Sequence, residues 1–201
     1  RGIASVMIIK WMNTPEEYWR LLFAEEKRMN GQIKVRISEE EVNARIAGLA
    51  AQISEDFRGE EVVAVGILRG GVYFCTELTK RLTIPVILDF IEASSYGEGT
   101  ESSGQVKITK DLIEDIEGRN VIVVEDIIDT GRTLSLLLEN LRARRPKCLK
   151  LCTLLDKPER RVVEVPVDYN GFQIPNEFVV GYGMDYAQRY RNLPYIGVVE
   201  A

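Results

Sequence analysis

Histidine is absent from this 201-residue chain, and its absence restricts the chemistry that the protein can perform. Imidazole is the usual proton-transfer group near neutral pH, so a general base has to be Asp, Glu, Lys, Tyr or Cys. A zinc site is also disfavoured, because the three cysteines, Cys75, Cys148 and Cys152, lack metal-ligand spacing. We interpret these cysteines as packing residues in a reducing compartment.

Long apolar runs are missing as well. Residues 4–9 form an apolar stretch that is too short and wrongly flanked for a membrane span or a secretory signal. The net charge of −5 argues against non-specific binding of nucleic acid, although it leaves room for a local basic pocket. We therefore predict a cytoplasmic protein without a membrane or nucleic-acid partner.

The length suits one sizeable core better than two, so we predict a single domain with an appendage. Ser38-Glu-Glu-Glu41 is a capping box that predicts the start of an amphipathic helix. Beyond it, strand-like and helix-like segments alternate, with strands at 62–68, 86–90, 121–124 and 149–155 and helices at 73–82 and 133–144. This alternation predicts an α/β fold with a mostly parallel sheet and helices on both faces.

The most informative stretch is residues 121–133, where an apolar strand leads through paired carboxylates into a short loop and a helix. Glu125 and Asp126 follow the strand at the end where α/β sheets bind ligands, and their oxygens suit ribose hydroxyls or a magnesium ion. Asp129-Thr-Gly-Arg-Thr133 supplies hydroxyls, N–H groups and a glycine just before a helix start, where a phosphate is well held. The stretch therefore predicts a sugar-phosphate site.

The ordered combination of an apolar run, Glu-Asp, two aliphatic residues and Asp-Thr-Gly-Arg-Thr resembles the phosphoribosyl pyrophosphate signature of the type I phosphoribosyltransferases. It is most similar to their hypoxanthine-guanine branch. The resemblance spans about residues 33–199 and implies a type I phosphoribosyltransferase fold, in which the N- and C-terminal segments build a small hood. We expect one domain at 31–201, with a core at about 38–157 and a hood largely from 158–201. Residues 1–30, which contain a predicted helix, form an extension of unknown role.

The resemblance assigns roles to the residues of this stretch. Thr130, Gly131, Arg132 and Thr133 would anchor the 5′-phosphate, and Ile127 would line the site. Glu125 and Asp126, together with Asp185 through water, would hold magnesium ions, the implied cofactor. Asp129 would be the base that accepts the purine N7 proton.

Two further segments resemble parts of the family's donor site. The pair Gly70-Gly71 could simply mark a tight turn, but the resemblance places pyrophosphate against Arg69 and Gly70, with a cis peptide between Leu68 and Arg69. Arg191 matches an arginine near pyrophosphate. The irregular segment at 92–110 could be a surface loop, and Ser95-Tyr96 instead matches the start of a catalytic lid that binds the substrate.

Three residues resemble the base-binding part of the family. A lone lysine is most often solvated surface, but Lys157 matches one that donates to the oxygen at purine C6. Phe178 could be ordinary core in a strand at 178–180. The resemblance places its ring over the purine, with the Val179 backbone addressing the base edge.

The implied reaction is purine salvage: phosphoribosyl pyrophosphate and a 6-oxopurine base, hypoxanthine or guanine, yield the nucleoside monophosphate and pyrophosphate. The resemblance also implies a homodimer or homotetramer. Two alternatives on the same fold remain: a preference for xanthine or a pyrimidine, and an RNA-binding regulator. The regulator would need a basic surface, and the clusters at 142–145 and 160–161 are interpreted more simply as a helix end and an exposed connection.

Overall fold

A computed structural model of the protein describes residues 33–95 and 106–199. The predicted helix within residues 1–30, the lid residue Tyr96 and most of the lid segment lie outside these ranges. Among the described residues, no helix combines the length and the apolar character needed to cross a membrane.

A six-stranded sheet forms the centre of the fold, in the order β4-β3-β2-β5-β6-β7. Its strands are β2 Val62–Leu68, β3 Val86–Ser95, β4 Val106–Lys110, β5 Asn120–Ile128, β6 Cys148–Asp156 and β7 Tyr169–Gln173. Strands β3, β2, β5, β6 and β7 are parallel, and β4 is an antiparallel edge strand. The structure therefore confirms the predicted mostly parallel sheet.

Helices cover both faces of this sheet, which explains why β2 is apolar along its whole length. Helices α1, Glu39–Asp56, and α2, Gly71–Thr79, share one core with the side chains of Val62 and Ala64. Helix α3, Arg132–Ala143, packs with Val63 and Val65 on the other face. Because successive side chains of a strand alternate, a single apolar strand supplies both cores.

The predicted capping box is present at the start of α1. Glu41 N donates to Ser38 Oγ at 3.2 Å, and Ser38 N donates to Glu41 Oε2 at 2.8 Å. These two bonds satisfy N–H groups that the first turn of a helix otherwise leaves unpaired.

A second, three-stranded sheet joins the two ends of the described chain and forms the hood. Its strands are β1 Ile33–Ile37, β8 Val179–Val180 and β9 Ile196–Val199, and they are antiparallel in the order β1-β9-β8. This arrangement confirms a hood built from the N- and C-terminal segments.

Several predicted boundaries were wrong. Strand β5 continues to Ile128, so Glu125 and Asp126 lie within the strand rather than after it. Both ends of the segment at 92–110 are strands, because its polar residues pair in antiparallel register, for example Ser94 with Lys107. Helix α2 ends at Thr79 rather than at residue 82. The strand predicted at 178–180 begins only at Val179, so Phe178 lies before it.

Candidate active site

The carboxyl ends of the parallel strands open onto a cavity of about 280 Å³. Its polar lining comes mainly from the end of β5 and the loop that follows: Glu125, Asp129, Thr130, Gly131, Arg132 and Thr133. The end of β2 and the first turns of α3 complete the wall. The structure thus brings the predicted phosphate-loop residues together around one cavity.

The loop's shape depends on Gly131. This residue has φ of +79°, and a Cβ atom there would lie 2.6 Å from the carbonyl oxygen of Val163. It precedes α3 directly, and within the described chain no side chain caps the amino end of that helix. The first N–H groups of α3 are therefore available to an anion in the cavity.

A second cavity of about 230 Å³ lies between β5, the end of β6 and the hood. It is lined by Asp126, Ile127, Asp129, Lys157, Phe178, Val179, Met184, Asp185 and Arg191. All of these except Met184 were predicted site residues. Ile127 and Asp129 line both cavities, so the two cavities adjoin at the end of β5.

The adjacent carboxyl groups of Glu125 and Asp126 face different cavities. Burial raises the pKa of both groups, and the neighbouring Asp126 charge raises the pKa of Glu125 further. A divalent cation would offset this repulsion, and paired carboxylate oxygens are ligands that magnesium accepts. Among the described residues no cluster of three or more metal-ligating side chains occurs.

Close backbone contacts fix the position of Asp126. Its Oδ1 accepts a hydrogen bond from Ile127 N at 3.0 Å, and a Cβ atom at Gly70 would lie 1.8 Å from its Oδ2.

The hood also comes close to the loop after β2. Gly183 has φ of +104°, and a Cβ atom there would lie 2.0 Å from Gly70 O. The predicted cis peptide between Leu68 and Arg69 is present beside these contacts. Glycine at position 70 therefore leaves room for the Asp126 carboxyl group, and glycine at position 183 lets the hood approach this loop.

A polar network joins the hood to the loop after β2. Arg191 Nη2 lies 2.6 Å from Asp185 Oδ1, and Gln188 N donates to Asp185 Oδ2 at 2.8 Å. Gln188 Oε1 accepts from Arg69 Nη1 at 3.2 Å and from Arg191 Nη2 at 3.3 Å. Two guanidinium groups therefore converge on a neutral amide oxygen, which is a weaker acceptor than an anion would be.

The second cavity combines a buried cation with exposed rings. Lys157 is 8% exposed, and this burial lowers the pKa of its ammonium group. Phe178 is 54% exposed, so it is not a core residue. Its ring meets that of Tyr186 edge to face, with centroids 5.6 Å apart and planes at 84°. A flat apolar face beside a hydrogen-bond donor suits a planar heterocycle with an exocyclic oxygen.

Four residues at this site were not predicted from sequence: Met184, Tyr186, Gln188 and Arg160. Arg160 Nε donates to Asp129 Oδ1 at 2.9 Å. The basic pair at 160–161 was the available signal, and its interpretation as an exposed connection was wrong for Arg161, whose side chain is 16% exposed and pairs with Asp156. Of the two predicted lid residues, Ser95 ends β3 and Tyr96 lies outside the described ranges.

Comparisons with known proteins agree with this geometry. The phosphoribosyl transferase domain family matches residues 38–187. The hypoxanthine phosphoribosyltransferase of Salmonella typhimurium is 55% identical over 173 residues, which cover 85% of this chain and 97% of that protein. The bifunctional protein TilS/HprT of Listeria monocytogenes is 51% identical over 183 residues, and the match spans 91% of this chain but only 28% of that longer protein.

Solved structures give the same result. A hypoxanthine-guanine phosphoribosyltransferase from Bacillus anthracis, with a HEPES molecule in its active site, has a TM-score of 0.79 and 52% identity over 83% of this chain and 98% of its own. A hypoxanthine phosphoribosyltransferase from Staphylococcus aureus has a TM-score of 0.82 and 44% identity, covering 86% of this chain and 94% of its own.

Proposed function

Because the chain belongs to the phosphoribosyl transferase family, we propose that it transfers the 5-phosphoribosyl group from phosphoribosyl pyrophosphate to N9 of hypoxanthine or guanine. The products are IMP or GMP and pyrophosphate, so the reaction is one of purine salvage. The observation that carries the proposal is the junction of the two cavities at Asp129 and Ile127. A sugar-phosphate in one cavity and a base in the other would meet at that junction.

The first cavity binds the donor. The 5′-phosphate lies against the loop 130–133, where the N–H groups at the start of α3 and the hydroxyls of Thr130 and Thr133 surround it. Pyrophosphate extends toward Arg69 and Gly70, and the guanidinium groups of Arg69 and Arg191 leave Gln188 for the stronger phosphate acceptor. The lid beginning at Ser95 and Tyr96 excludes water from the reacting centre.

The second cavity binds the base. Lys157 donates to the oxygen at purine C6, and the ring of Phe178 stacks on the base. The backbone of Val179 addresses the base edge. These groups hold N9 near the anomeric carbon, and positioning of this kind lowers the barrier of a reaction between two bound molecules.

Asp129 accepts the purine N7 proton, because it is a carboxylate that lines both cavities. Glu125 and Asp126, together with Asp185 through water, would hold magnesium ions, which supply positive charge to offset the negative charge of the leaving pyrophosphate. These carboxyl groups offer oxygen donors but do not form one cluster, so substrate oxygens would complete the coordination.

Four further features belong to the proposal. The protein acts in the cytoplasm, and residues 31–201 form one domain, with a core at about 38–157 and a hood largely from 158–201. It works as a homodimer or homotetramer, for which the exposed apolar side chains of Tyr73 and Leu88 offer surface. Residues 1–30 have no assigned role.

Neither alternative is favoured. The basic cluster at 142–145 is partly neutralised, since Arg144 pairs with Asp111 and Arg145 with Glu117, each at 2.8 Å. This reduces the positive surface that an RNA-binding regulator would need. Among the described residues that line the second cavity, none specifically favours xanthine or a pyrimidine.

The test is to incubate the purified protein with magnesium, phosphoribosyl pyrophosphate and one base at a time, and to quantify the nucleotide and pyrophosphate formed. With hypoxanthine and with guanine, nucleotide and pyrophosphate should form in equal amounts, and adenine and uracil should give far less of both. The yield with xanthine, which also carries an oxygen at C6, tests the alternative base preference. A reaction without a base serves as the control for hydrolysis. No nucleotide with any base, or tight RNA binding that survives high salt, would refute the proposal.

A further inference from the structure

The segment after β6 contacts both cavities. Lys157 N donates to Ile128 O at 3.0 Å, which fixes the backbone that carries the base-binding ammonium group. Val162 N and Val163 N both donate to Thr130 O, at 3.0 and 3.1 Å. Residues 157–163 are therefore hydrogen-bonded to the end of β5 on one side and to the phosphate loop on the other.

Apolar burial does little to hold this segment in place. The three residues of the 3-10 turn Pro158–Arg160 are exposed, and the side chains that follow at Val162 and Val163 are 59% and 37% exposed. Because few apolar side chains anchor the segment, its conformation has to depend on polar contacts.

The strongest of these polar contacts is the ion pair between Arg161 and Asp156. The two side chains are 16% and 8% exposed, whereas both members of most other ion pairs are more exposed. Asp156 Oδ2 also accepts from Asn170 Nδ2 at 3.1 Å, which ties the pair to β7. The Arg161 stem packs behind the phosphate loop, where its Cδ would lie 3.2 Å from a Cβ atom at Gly131. Buried pairs of this kind fix one geometry, in contrast to exposed pairs.

We propose that the buried Asp156–Arg161 pair is a positioning element that holds the segment 157–163 in one conformation, so that the base pocket and the phosphate loop keep a fixed separation. It acts through Lys157 and Thr130 and touches neither substrate. This inference rests on the proposed function, because only a two-substrate transfer requires the two pockets to be held at one distance.

The test removes both charges together, since removing one would leave the other buried without a partner. In the double variant Asp156→Asn with Arg161→Met, the asparagine keeps an acceptor for Asn170 Nδ2 and can donate to Asn170 Oδ1, which has no partner among the described residues. Methionine keeps the apolar stem against Gly131. The matched control is Glu55→Gln with Arg58→Met, which removes an exposed pair at the end of α1.

Thermal unfolding gives the melting temperature of both variants and of the wild type. Steady-state kinetics well below that temperature give kcat and the KM for each substrate. The positioning variant should stay folded, raise KM for phosphoribosyl pyrophosphate by about tenfold or more and lower kcat, since a small misplacement of reacting groups costs that much. The control should match the wild type. A purely structural pair would lower the melting temperature and leave KM unchanged.

The outcomes separate the two claims. An active wild type and a folded double variant with wild-type kinetic constants would overturn this inference alone. A wild type that forms no nucleotide would overturn the proposed function and this inference with it. If the double variant does not fold, Arg161→Lys decides, because it keeps the charge but replaces the planar guanidinium group with a smaller ammonium group on a different stem. An unchanged KM for phosphoribosyl pyrophosphate in that variant would also overturn the inference.

Discussion

Arg160 Nε lies 2.9 Å from Asp129 Oδ1 at the point where the two cavities adjoin. Both side chains are nearly half exposed, so the pair adds little to stability. The pair matters because of where it lies. The carboxylate that we assign as the base is held by Arg160, which belongs to the turn that follows Lys157.

Asp129→Asn should remove the base while leaving the loop nearly isosteric. We expect the forward rate to fall by about 10²-fold or more, because general-base catalysis contributes that much, and the affinity for phosphoribosyl pyrophosphate to change far less. Single-turnover rates and equilibrium binding measure the two quantities. Glu159→Gln, an exposed change in the neighbouring turn, is the matched control. Near-normal turnover in Asp129→Asn would show that another group accepts the proton.

Lys157→Ala should alter base preference. The ammonium group can donate to an oxygen at purine C6 but would face another donor in adenine, and an unpaired buried group can cost about 10⁴-fold in efficiency. Adenine should therefore be a poor substrate of the wild type. In the variant, kcat/KM should fall for hypoxanthine and guanine, so that it exceeds kcat/KM for adenine by a smaller factor. Measuring kcat/KM for each base tests this. Lys150→Ala, in the strand that precedes Lys157, is the control. An unchanged preference in Lys157→Ala would contradict the 6-oxopurine assignment.

Gln188→Glu should weaken donor binding. It places a permanent carboxylate between Arg69 and Arg191, where it competes with pyrophosphate for the same two cations. We expect KM for phosphoribosyl pyrophosphate to rise about tenfold, which corresponds to about 1.4 kcal/mol. KM for hypoxanthine should stay constant. The exposed Gln173→Glu controls for the added charge, and an equal rise in both variants would mean that net charge alone explains the effect.

Asp89 should make stability depend on pH on the acid side. Its carboxyl group, 4% exposed, accepts from the backbone N–H groups of Phe90, Ile113 and Glu114 at 2.7–2.9 Å, and Lys110 lies 3.6 Å away. Burial alone would raise its pKa, but these donors together lower the pKa. A depressed pKa contributes stability above the unfolded-state value, and this contribution disappears as pH falls through the folded-state pKa.

Asp89→Asn should therefore lower the free energy of unfolding by about 1–3 kcal/mol at pH 7, the range expected when hydrogen bonds to a charged group are lost. The difference from the wild type should shrink below about pH 4, where the carboxyl group of the unfolded wild type takes up a proton while the folded one stays ionised until lower pH. Urea denaturation of both proteins at pH 7 and below about pH 4 measures this difference in the free energy of unfolding. Asp115→Asn, at an exposed position, is the control, and a difference that does not vary with pH would contradict the charge-based account.

The parts predicted from sequence share a physical cause. Continuous apolar runs occur only where helices cover both faces of a strand, so β2 and the start of β5 could be recognised. Polar residues at the carboxyl ends of parallel strands meet at one edge of the sheet, and this is why Glu125 and Asp129 could be assigned to one site. Lys157 was assigned through its resemblance to the family's lysine.

The parts that were missed lack such a signal. Strand β7, with the sequence Tyr-Asn-Gly-Phe-Gln, carries polar residues because it lies at a sheet edge, and β1 and β9 are short strands of the hood. Gln188 reaches the two arginines only because Ala187 and Gln188 adopt positive φ values, 51° and 67°, which nothing in their residue types indicates.

The two cavities also differ in how the chain supplies them. The polar lining of the first comes almost wholly from one continuous peptide, residues 125–133, whereas the second draws on separate segments around Lys157, Phe178 and Asp185. The part of the donor site that holds the 5′-phosphate can therefore be inherited or transplanted as a unit, while the base pocket is free to diverge position by position. Directed evolution toward a new base should accordingly concentrate on 157, 178–179 and 184, and should leave the continuous peptide intact.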